Sequence, residues 1–155
     1  MSTENIATDE LDKKIIGIMQ EDASLTNNDI AKKINLSPSA THERIKKLHT
    51  SGVIKKIVAF IQAEAIERAL CAYIYVLVDT PQNNEVFLHD IVMQPSVMEC
   101  HHITGEYSYL LKVRVKNTQG LESFITKILK TRFGIVRTLT QIVLSSPKDG
   151  DTVVD

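Results

Sequence analysis

The 155-residue chain has room for one or two small domains, and its 43% hydrophobic and 24% charged residues are typical of a globular protein. No apolar run approaches the length of a membrane span, and the polar N-terminus lacks the apolar core of a signal peptide. Two cysteines, Cys71 and Cys100, are too few for a disulfide framework, so we expect a reducing, cytoplasmic setting and no membrane partner.

A first helix is predicted to follow Thr8, which is a candidate N-cap. Asp9, Glu10 and Asp12 then put negative charge in the first turn, where the helix dipole favours it. Apolar residues recur at helical spacing from Leu11 onward. The predicted core of a three-helix unit is Leu11, Ile15, Ile18, Met19, Leu25, Ile30, Ala31, Ile34, Leu36, Ile45 and Leu48.

The stretch from Thr26 to Leu48 indicates two short helices around a tight turn. Thr26 and Ser37 are the N-cap candidates, and Pro38 stands where its missing N–H costs nothing. Asn35 and Leu36 break the apolar pattern between the helices. Because the second helix is basic, the pair is typical of a helix-turn-helix.

Charge supports this interpretation. Between Ser24 and Phe60, seven basic residues stand against only Asp29 and Glu43, while the segments on either side are acidic overall. The basic residues are Lys32, Lys33, Arg44, Lys46, Lys47, Lys55 and Lys56. Positive charge gathered on one element suggests DNA as the partner, and the alternative is an ordinary solvated helix face.

A wing is predicted directly after the basic helix. Gly52 is a natural helix stop, and Val53 to Phe60 has the pattern of an extended strand. Its Lys55 and Lys56 could reach a phosphate backbone or merely keep a short edge strand soluble. Residues 1–60 would thus form a winged helix-turn-helix domain, and residues 61–70 a connector.

The second half of the chain, residues 71–155, has a different pattern. Four strands and two helices are predicted in the order βαββαβ, the ferredoxin-like arrangement, which gives the whole chain an α+β fold. The predicted elements are the strands 71–79, 97–103, 107–115 and 135–144 and the helices 81–94 and 121–129. Two helices cover one face of such a sheet. Both faces of the first strand look apolar, so we expect a homodimer through the sheets.

Taken together, the motifs resemble the Lrp/AsnC family, the feast/famine regulators, from about residue 9 to about residue 147. The matching runs are Leu11-Asp12-Lys13-Lys14-Ile15-Ile16, Asp29-Ile30-Ala31, Leu36-Ser37-Pro38-Ser39, Glu43-Arg44-Ile45-Lys46-Lys47-Leu48, Gly52-Val53-Ile54 and Thr104-Gly105-Glu106-Tyr107-Ser108-Tyr109-Leu110-Leu111. The resemblance implies a DNA-binding transcriptional regulator, a free amino acid as effector, and dimers that assemble further, often into octamers.

Ten residues of the basic region are candidates for contact with double-stranded DNA. They are Ser37, Pro38, Ser39, Thr41, His42, Arg44, Lys46, Lys47, Lys55 and Lys56. For two of them an alternative stays open. Arg44 could instead pair with an acidic residue of the first helix, and His42 fits a polar surface residue or a phosphate contact better than a reader of bases.

The effector site is expected around Gly105, where free backbone N–H groups could form a nest for an α-carboxylate, although an ordinary hairpin turn would also want a glycine. The candidates are Ile103, Thr104, Gly105, Glu106, Tyr107 and Ser108, with Thr138 and Thr140 contributed by a neighbouring chain on the strength of the resemblance. Ser108 stands where the family commonly has Asp. A cationic effector would then lack a partner, so leucine or methionine is favoured.

Other chemistry finds little support in the sequence. Cys100, His101 and His102 cannot all share one face of a strand, so no metal site is expected. No nucleophile motif is present and no cofactor is expected. The one enzyme alternative is a tetrapyrrole decarboxylase, since a group of these enzymes shares the two-domain build that the resemblance implies. The Ser-Pro start of the basic helix favours the regulator.

Overall fold

A computed structural model describes residues 7–78 and 81–148, with the side chains of residues 81–83 left out. The chain divides into two compact units, one that ends at Phe60 and one that spans Ile61–Pro147. None of the described helices is long and apolar enough to cross a membrane.

Three helices build the first unit: α1 (Glu10–Glu21), α2 (Asn27–Ile34) and α3 (Pro38–Thr50). Thr8 is not the cap of α1, because Asp9 takes that role. The Asp9 side chain accepts from the N–H of Asp12, and the Asp12 side chain accepts from the N–H of Asp9. This reciprocal pair satisfies two donors that the start of a helix would otherwise leave free.

The junction between α2 and α3 follows the prediction. Thr26 accepts from the N–H of Asp29, and Ser37 accepts from the N–H of Ala40, so both predicted N-caps are confirmed. Asn35 ends α2 in the left-handed conformation, with φ 55° and ψ 45°. Asparagine tolerates this conformation better than most residues, and the reversal it allows sets the direction in which α3 departs.

The core of this unit is largely the predicted one. Its fully buried members are Ile15, Ile30, Ile34 and Leu48. Leu11 is only half-buried and lies outside this cluster, whereas Ile16, Val53 and Ile54, which were not predicted, pack against it. The cluster is small, so polar contacts between the helices contribute much of what holds the helices in their positions.

The predicted strand Val53–Phe60 is not formed. Ile54 donates its N–H to Leu48, and the residues that follow have no ladder partner among the described strands. The side chain of Phe60 is 82% exposed, and Ile57 and Val58 are exposed as well. A strand needs a neighbour to satisfy its backbone, and the local pattern could not supply one.

The second unit confirms the βαββαβ arrangement. A 3₁₀ turn (Ala63–Ile66) lies within the predicted connector. The remaining elements are β1 (Leu70–Val76), α4 (Pro81–Ile91), β2 (Val97–His102), β3 (Tyr109–Val115), α5 (Thr118–Ser123), which continues as π-helix over Phe124–Arg132, and β4 (Thr138–Ile142). The strands form one antiparallel sheet in the order β2-β3-β1-β4. All four strands are shorter than predicted at one end or both, and Asp79 lies outside the described residues.

The strand register shows which residues lie on each face of the sheet. Ile74 lies opposite Leu111 on β3 and opposite Thr140 on β4, on the face that forms the buried core. On the other face Tyr73 lies opposite Lys112, which pairs with Glu99 at 3.0 Å. This second face is therefore mixed, and the expectation of two apolar faces was too simple because it rested on β1 alone.

Asn35 offers a test of the junction before α3. An Asn35→Ala change keeps the Cβ but removes the amide whose local hydrogen bonding lets asparagine tolerate the left-handed region, so we expect the free energy of unfolding to fall by about 1 kcal/mol. Asn35→Gly has no such penalty and should stay close to the parent protein. Urea unfolding followed by circular dichroism measures both. Equal stability of the Ala and Gly variants would contradict this account of the turn.

Candidate DNA-binding surface and effector loop

The outward face of α3 presents the side chains expected of a DNA-reading helix. Ser39, His42, Lys46 and Lys47 are exposed, as are Ser37 and Pro38 at its start. Among the residues that the structure describes, Lys46 and Lys47 join no ion pair, so their charges are available to an external anion. Lys55 and Lys56 are also exposed, on the segment where no strand forms.

Thr41 must be removed from the candidate contacts. Its side chain is completely buried, and its hydroxyl donates to the carbonyl oxygen of Ser37 at 3.1 Å. The position lies on the inward side of α3, so the hydroxyl cannot face a groove while the helix stays packed. Sequence reasoning failed here because a threonine near a helix start suits either face.

Arg44 makes the structural contact that was its alternative. Nη1 donates to Asp9 Oδ2 and to Asp12 Oδ1, each at 2.7 Å, and the Asp12 side chain is only 8% exposed. The N–H of Asp12 and the guanidinium of Arg44 hold the pKa of the Asp9 carboxyl below its ordinary value. The pair ties α3 to the capping box of α1. A DNA contact by Arg44 stays a prediction.

His42 has a partner that the sequence did not suggest. The amide Nδ2 of Asn27, the first residue of α2, lies 3.0 Å from its ring Nδ1. Fifteen residues separate the two in the chain, and only the fold brings them together. No pattern in the sequence could have found this contact.

The predicted effector residues form the connection from β2 to β3, here called the effector loop (residues 103–108). It is longer than a two-residue turn and is closed by the N–H of Ile103, which donates to Ser108 O at 3.0 Å. Gly105 has φ +115°, a region that residues with a side chain rarely adopt, and no atom lies within 4 Å of where its Cβ would be. Thr104 and Glu106 beside it are exposed.

Ser108 anchors the effector loop to the end of β1. Its N–H donates to Val76 O at 2.9 Å, and its hydroxyl oxygen accepts from the N–H of Val78 at 3.2 Å. The hydroxyl thus already serves the backbone. Where the resemblance implies a carboxylate, this chain thus has a neutral acceptor.

Arg137 is the member of this region that sequence reasoning missed. It pairs with Glu106, and its guanidinium lies 5.4 Å from the ring centroid of Tyr107. The carboxylate of Glu106 raises the pKa of Arg137 above its ordinary value. The ring of Tyr107 in turn lies 5.7 Å from that of Tyr75. The sequence contained one signal that could have found Arg137, because this residue directly precedes the candidate Thr138.

Thr138 and Thr140 lie on β4, opposite Val76 and Ile74, and both are half-buried. Their contribution to the pocket of a neighbouring chain stays a prediction. Ile103 is half-buried at the start of the loop, as an apolar wall would require.

The Cys100-His101-His102 run diverges as expected for a strand. Cys100 packs against the buried core, His101 lies 3.2 Å from Glu99, and the ring of His102 stacks on Tyr109 at 5.0 Å. In the described part of the chain, no group of three or more His, Cys, Asp or Glu residues could hold a metal ion.

Comparison with known proteins places both units in one family. Residues 8–55 match a family described as winged helix-turn-helix DNA-binding. Residues 71–153 match the Lrp/AsnC ligand binding domain, which covers more than half of the chain. The chain belongs to the Lrp/AsnC family of transcriptional regulators. Its predicted identity and fold class are thereby confirmed.

Three relatives illustrate the likeness. The chain is 38% identical over 144 residues to the HTH-type transcriptional regulator FL11 of Pyrococcus horikoshii, covering 93% of this chain and 94% of the relative. It is 25% identical over 148 residues to the leucine-responsive regulatory protein of Escherichia coli, covering 94% and 90%. A crystal structure of a Neisseria meningitidis transcriptional regulator in complex with L-Met matches with a TM-score of 0.90 at 27% identity, covering 95% of this chain and 96% of that one.

These comparisons decide between regulator and enzyme. The matched family and the named relatives are transcriptional regulators, so this Lrp/AsnC protein is a DNA-binding regulator with a ligand-binding domain and not an enzyme. The decarboxylase alternative finds no support.

The contact of Arg44 in this regulator can be tested by removing it. Arg44→Ala leaves the nearly buried Asp12 carboxylate without its cation, so we expect the free energy of unfolding to fall by about 1–3 kcal/mol. Lys47→Ala, on the exposed side of the same helix, is the matched control and should change it by less than about 0.5 kcal/mol. Urea unfolding measures both.

The dependence of stability on acidic pH is a second test of the pairing between Arg44 and Asp9. The lowered pKa of Asp9 means that its stabilisation is present above the unfolded pKa, about 3.9, and is lost as the pH falls through the folded pKa. We therefore expect stability to drop as the pH falls below about 4, and to drop less steeply in Arg44→Ala. Identical acid profiles for both proteins would contradict a contribution of the guanidinium.

Proposed function

We propose that this regulator reads DNA with α3 in the major groove and that a small neutral amino acid, leucine or methionine, modulates its binding. The DNA-binding part of the proposal rests on Lys46 and Lys47, two exposed residues of α3 that join no ion pair among the described residues. It also rests on the N-cap of this helix at Ser37. Residues 37–48 would enter the major groove, and Lys55 and Lys56 would hold the flanking phosphate backbone.

Salt dependence tests this placement. Lys46→Ala and Lys47→Ala each remove one candidate phosphate contact, so each should weaken binding to all sequences alike and lower the salt slope by about one. Lys127→Ala, an exposed lysine of the second unit, is the control and should leave both quantities unchanged. Gel-shift titrations at several salt concentrations measure them. An unchanged slope in both α3 variants would exclude this orientation.

The effector proposal rests on the chemistry around Gly105. The positive φ and the open space above this glycine leave backbone N–H groups accessible to an α-carboxylate. The charge of Glu106 is already balanced by Arg137, and Ser108 is neutral, so a cationic effector side chain would find no free carboxylate in the described loop. The relatives named for leucine response and for an L-Met complex support a neutral apolar effector.

Two substitutions at Gly105 separate the effect of an added charge from the effect of backbone strain. Gly105→Asp adds a side chain and a negative charge, so it should abolish binding of leucine or methionine while leaving DNA affinity intact. Gly105→Ala imposes a similar backbone cost without the charge and should retain more of the binding. Calorimetry measures effector affinity. Unchanged leucine and methionine binding in Gly105→Asp, or tighter binding of lysine to the parent protein, would rule out this site.

We further propose a homodimer that assembles into larger rings, such as octamers. The sheet face with half-buried Tyr73 and Tyr75 and exposed Leu139 offers apolar area, and the exposed Ile57, Val58 and Phe60 offer more. A two-fold axis would repeat the recognition helices and so favour a pseudo-palindromic operator with half-sites about 34 Å apart.

The mass in solution tests this assembly directly. The chain has a mass of 17.4 kDa, so light scattering should report a multiple of this value at micromolar concentration. Leu139→Glu would place a charge on the sheet face and should lower the average mass if that face is used. A 17.4 kDa particle for the parent protein would refute the proposal.

A further inference from the structure

The contact between Asn27 and His42 joins the start of α2 to the outward face of the recognition helix. Asn27 is half-buried, whereas His42 is exposed, and Nδ2 of the amide lies 3.0 Å from the ring Nδ1. An exposed imidazole on a helix surface normally samples several orientations. This one is tethered through one of its two nitrogens, so the other nitrogen has a defined direction.

The tether also defines which nitrogen carries the proton. The Nδ2 of an asparagine amide only donates hydrogen bonds, so Nδ1 of His42 acts as the acceptor. In the neutral imidazole the proton must then be on Nε2. His42 therefore presents an N–H donor on the side of the ring away from α2, on an exposed part of α3.

We propose that His42, held by Asn27, donates its Nε2–H to N7 or O6 of a guanine in the major groove, with Asn27 as the positioning residue. The inference rests on the proposed placement of α3 in that groove. His42 is the fifth residue of α3, within the N-terminal half from which recognition helices contact base edges. The sequence alone favoured a surface role or a phosphate contact for His42 over base reading, and the tether is the observation that points to the base instead.

Guanine is the base that best fits a single directed donor. Its major-groove edge presents two neighbouring acceptors, N7 and O6, and no donor. Adenine places an amino group beside its N7, cytosine offers an amino donor, and thymine adds a methyl group beside O4. A phosphate contact would need no tether, because phosphate oxygens accept from many directions and the nearby Lys46 and Lys47 already supply charge.

Selection of binding sites from randomised DNA duplexes provides the test. The full-length protein, His42→Ala, Asn27→Ala and the matched control Asn28→Ala, which changes the exposed neighbour on α2, are each carried through selection and then titrated on the selected sites. Circular dichroism melting first establishes that each variant is folded. The measured quantity is the preference for guanine at each base pair of the half-site.

The parent protein should prefer guanine at one base pair whose preference falls about tenfold in His42→Ala. Asn27→Ala should weaken the same preference to a smaller extent, and Asn28→Ala should keep it. In the double variant, loss of Asn27 should add nothing to loss of His42, since Asn27 acts through the ring. At that guanine, the parent protein should lose the same preference with 7-deazaguanine, which lacks N7, or with 6-thioguanine, whose sulfur is a weak acceptor in place of O6, and His42→Ala should respond to neither.

Three results would overturn the inference while leaving the proposed function standing. The first is a selected operator whose base preferences do not change in His42→Ala. The second is a uniform weakening across all bases, which marks a backbone contact. The third is an additive effect of Asn27→Ala in the double variant, which would mean that Asn27 contacts DNA on its own. A parent protein that selects no sequence at all would instead refute the DNA placement and this inference together.

Discussion

The recognition helix has to be fixed in place with very little apolar area of its own. Of the thirteen residues of α3, only Thr41 and Leu48 are buried, and Ile45 is half-buried against the core. The apolar area that these side chains bury is small, so hydrophobic packing alone defines the orientation of the helix poorly. Polar contacts supply the remainder: the cap at Ser37, the hydroxyl bond of Thr41 and the pairing of Arg44 with the start of α1.

The second unit shows the opposite arrangement, in which an exposed loop extends from a closely packed sheet. The central strands β1 and β3 bury alternate side chains completely, so the register is firmly set. The effector loop extends from this rigid frame and is held by Ser108 on one side and Arg137 on the other.

The features that local chemistry controls were predictable from the sequence. The caps at Thr26 and Ser37 and the order of strands and helices follow from residue type and spacing. The cap of α1 was placed one residue early, because Thr8 is an acceptable cap, although Asp9 is the stronger type and its reciprocal bond with Asp12 decides. The prediction of a strand after Gly52 was wrong for a different reason. Strand formation depends on a partner, and sequence pattern alone does not reveal one.

The side-chain contacts that define the candidate sites were the least predictable part. Arg137 and Glu106 are 31 residues apart, and Asn27 and His42 are 15 apart, so each pair exists only once the fold is known. Arg44 shows the intermediate case. Its acidic partners in the first helix could be foreseen as an alternative, but charge counting alone could not choose between them and a phosphate.

The basic helix α3 thus carries two kinds of polar group, exposed lysines and a tethered histidine. The lysines are expected to contact phosphate and the histidine a base edge. Lys46 and Lys47 have no ion-pair partner among the described residues, and a mobile ammonium suits the phosphate backbone, whose field is broad and whose oxygens accept from many directions. A base edge is different, because it accepts only from a donor in its plane and at a defined point. A side chain held before binding loses less entropy on meeting such an edge, which is the advantage that the amide of Asn27 gives to His42. The proposed contacts would thus assign affinity and specificity to separate residues of one short helix.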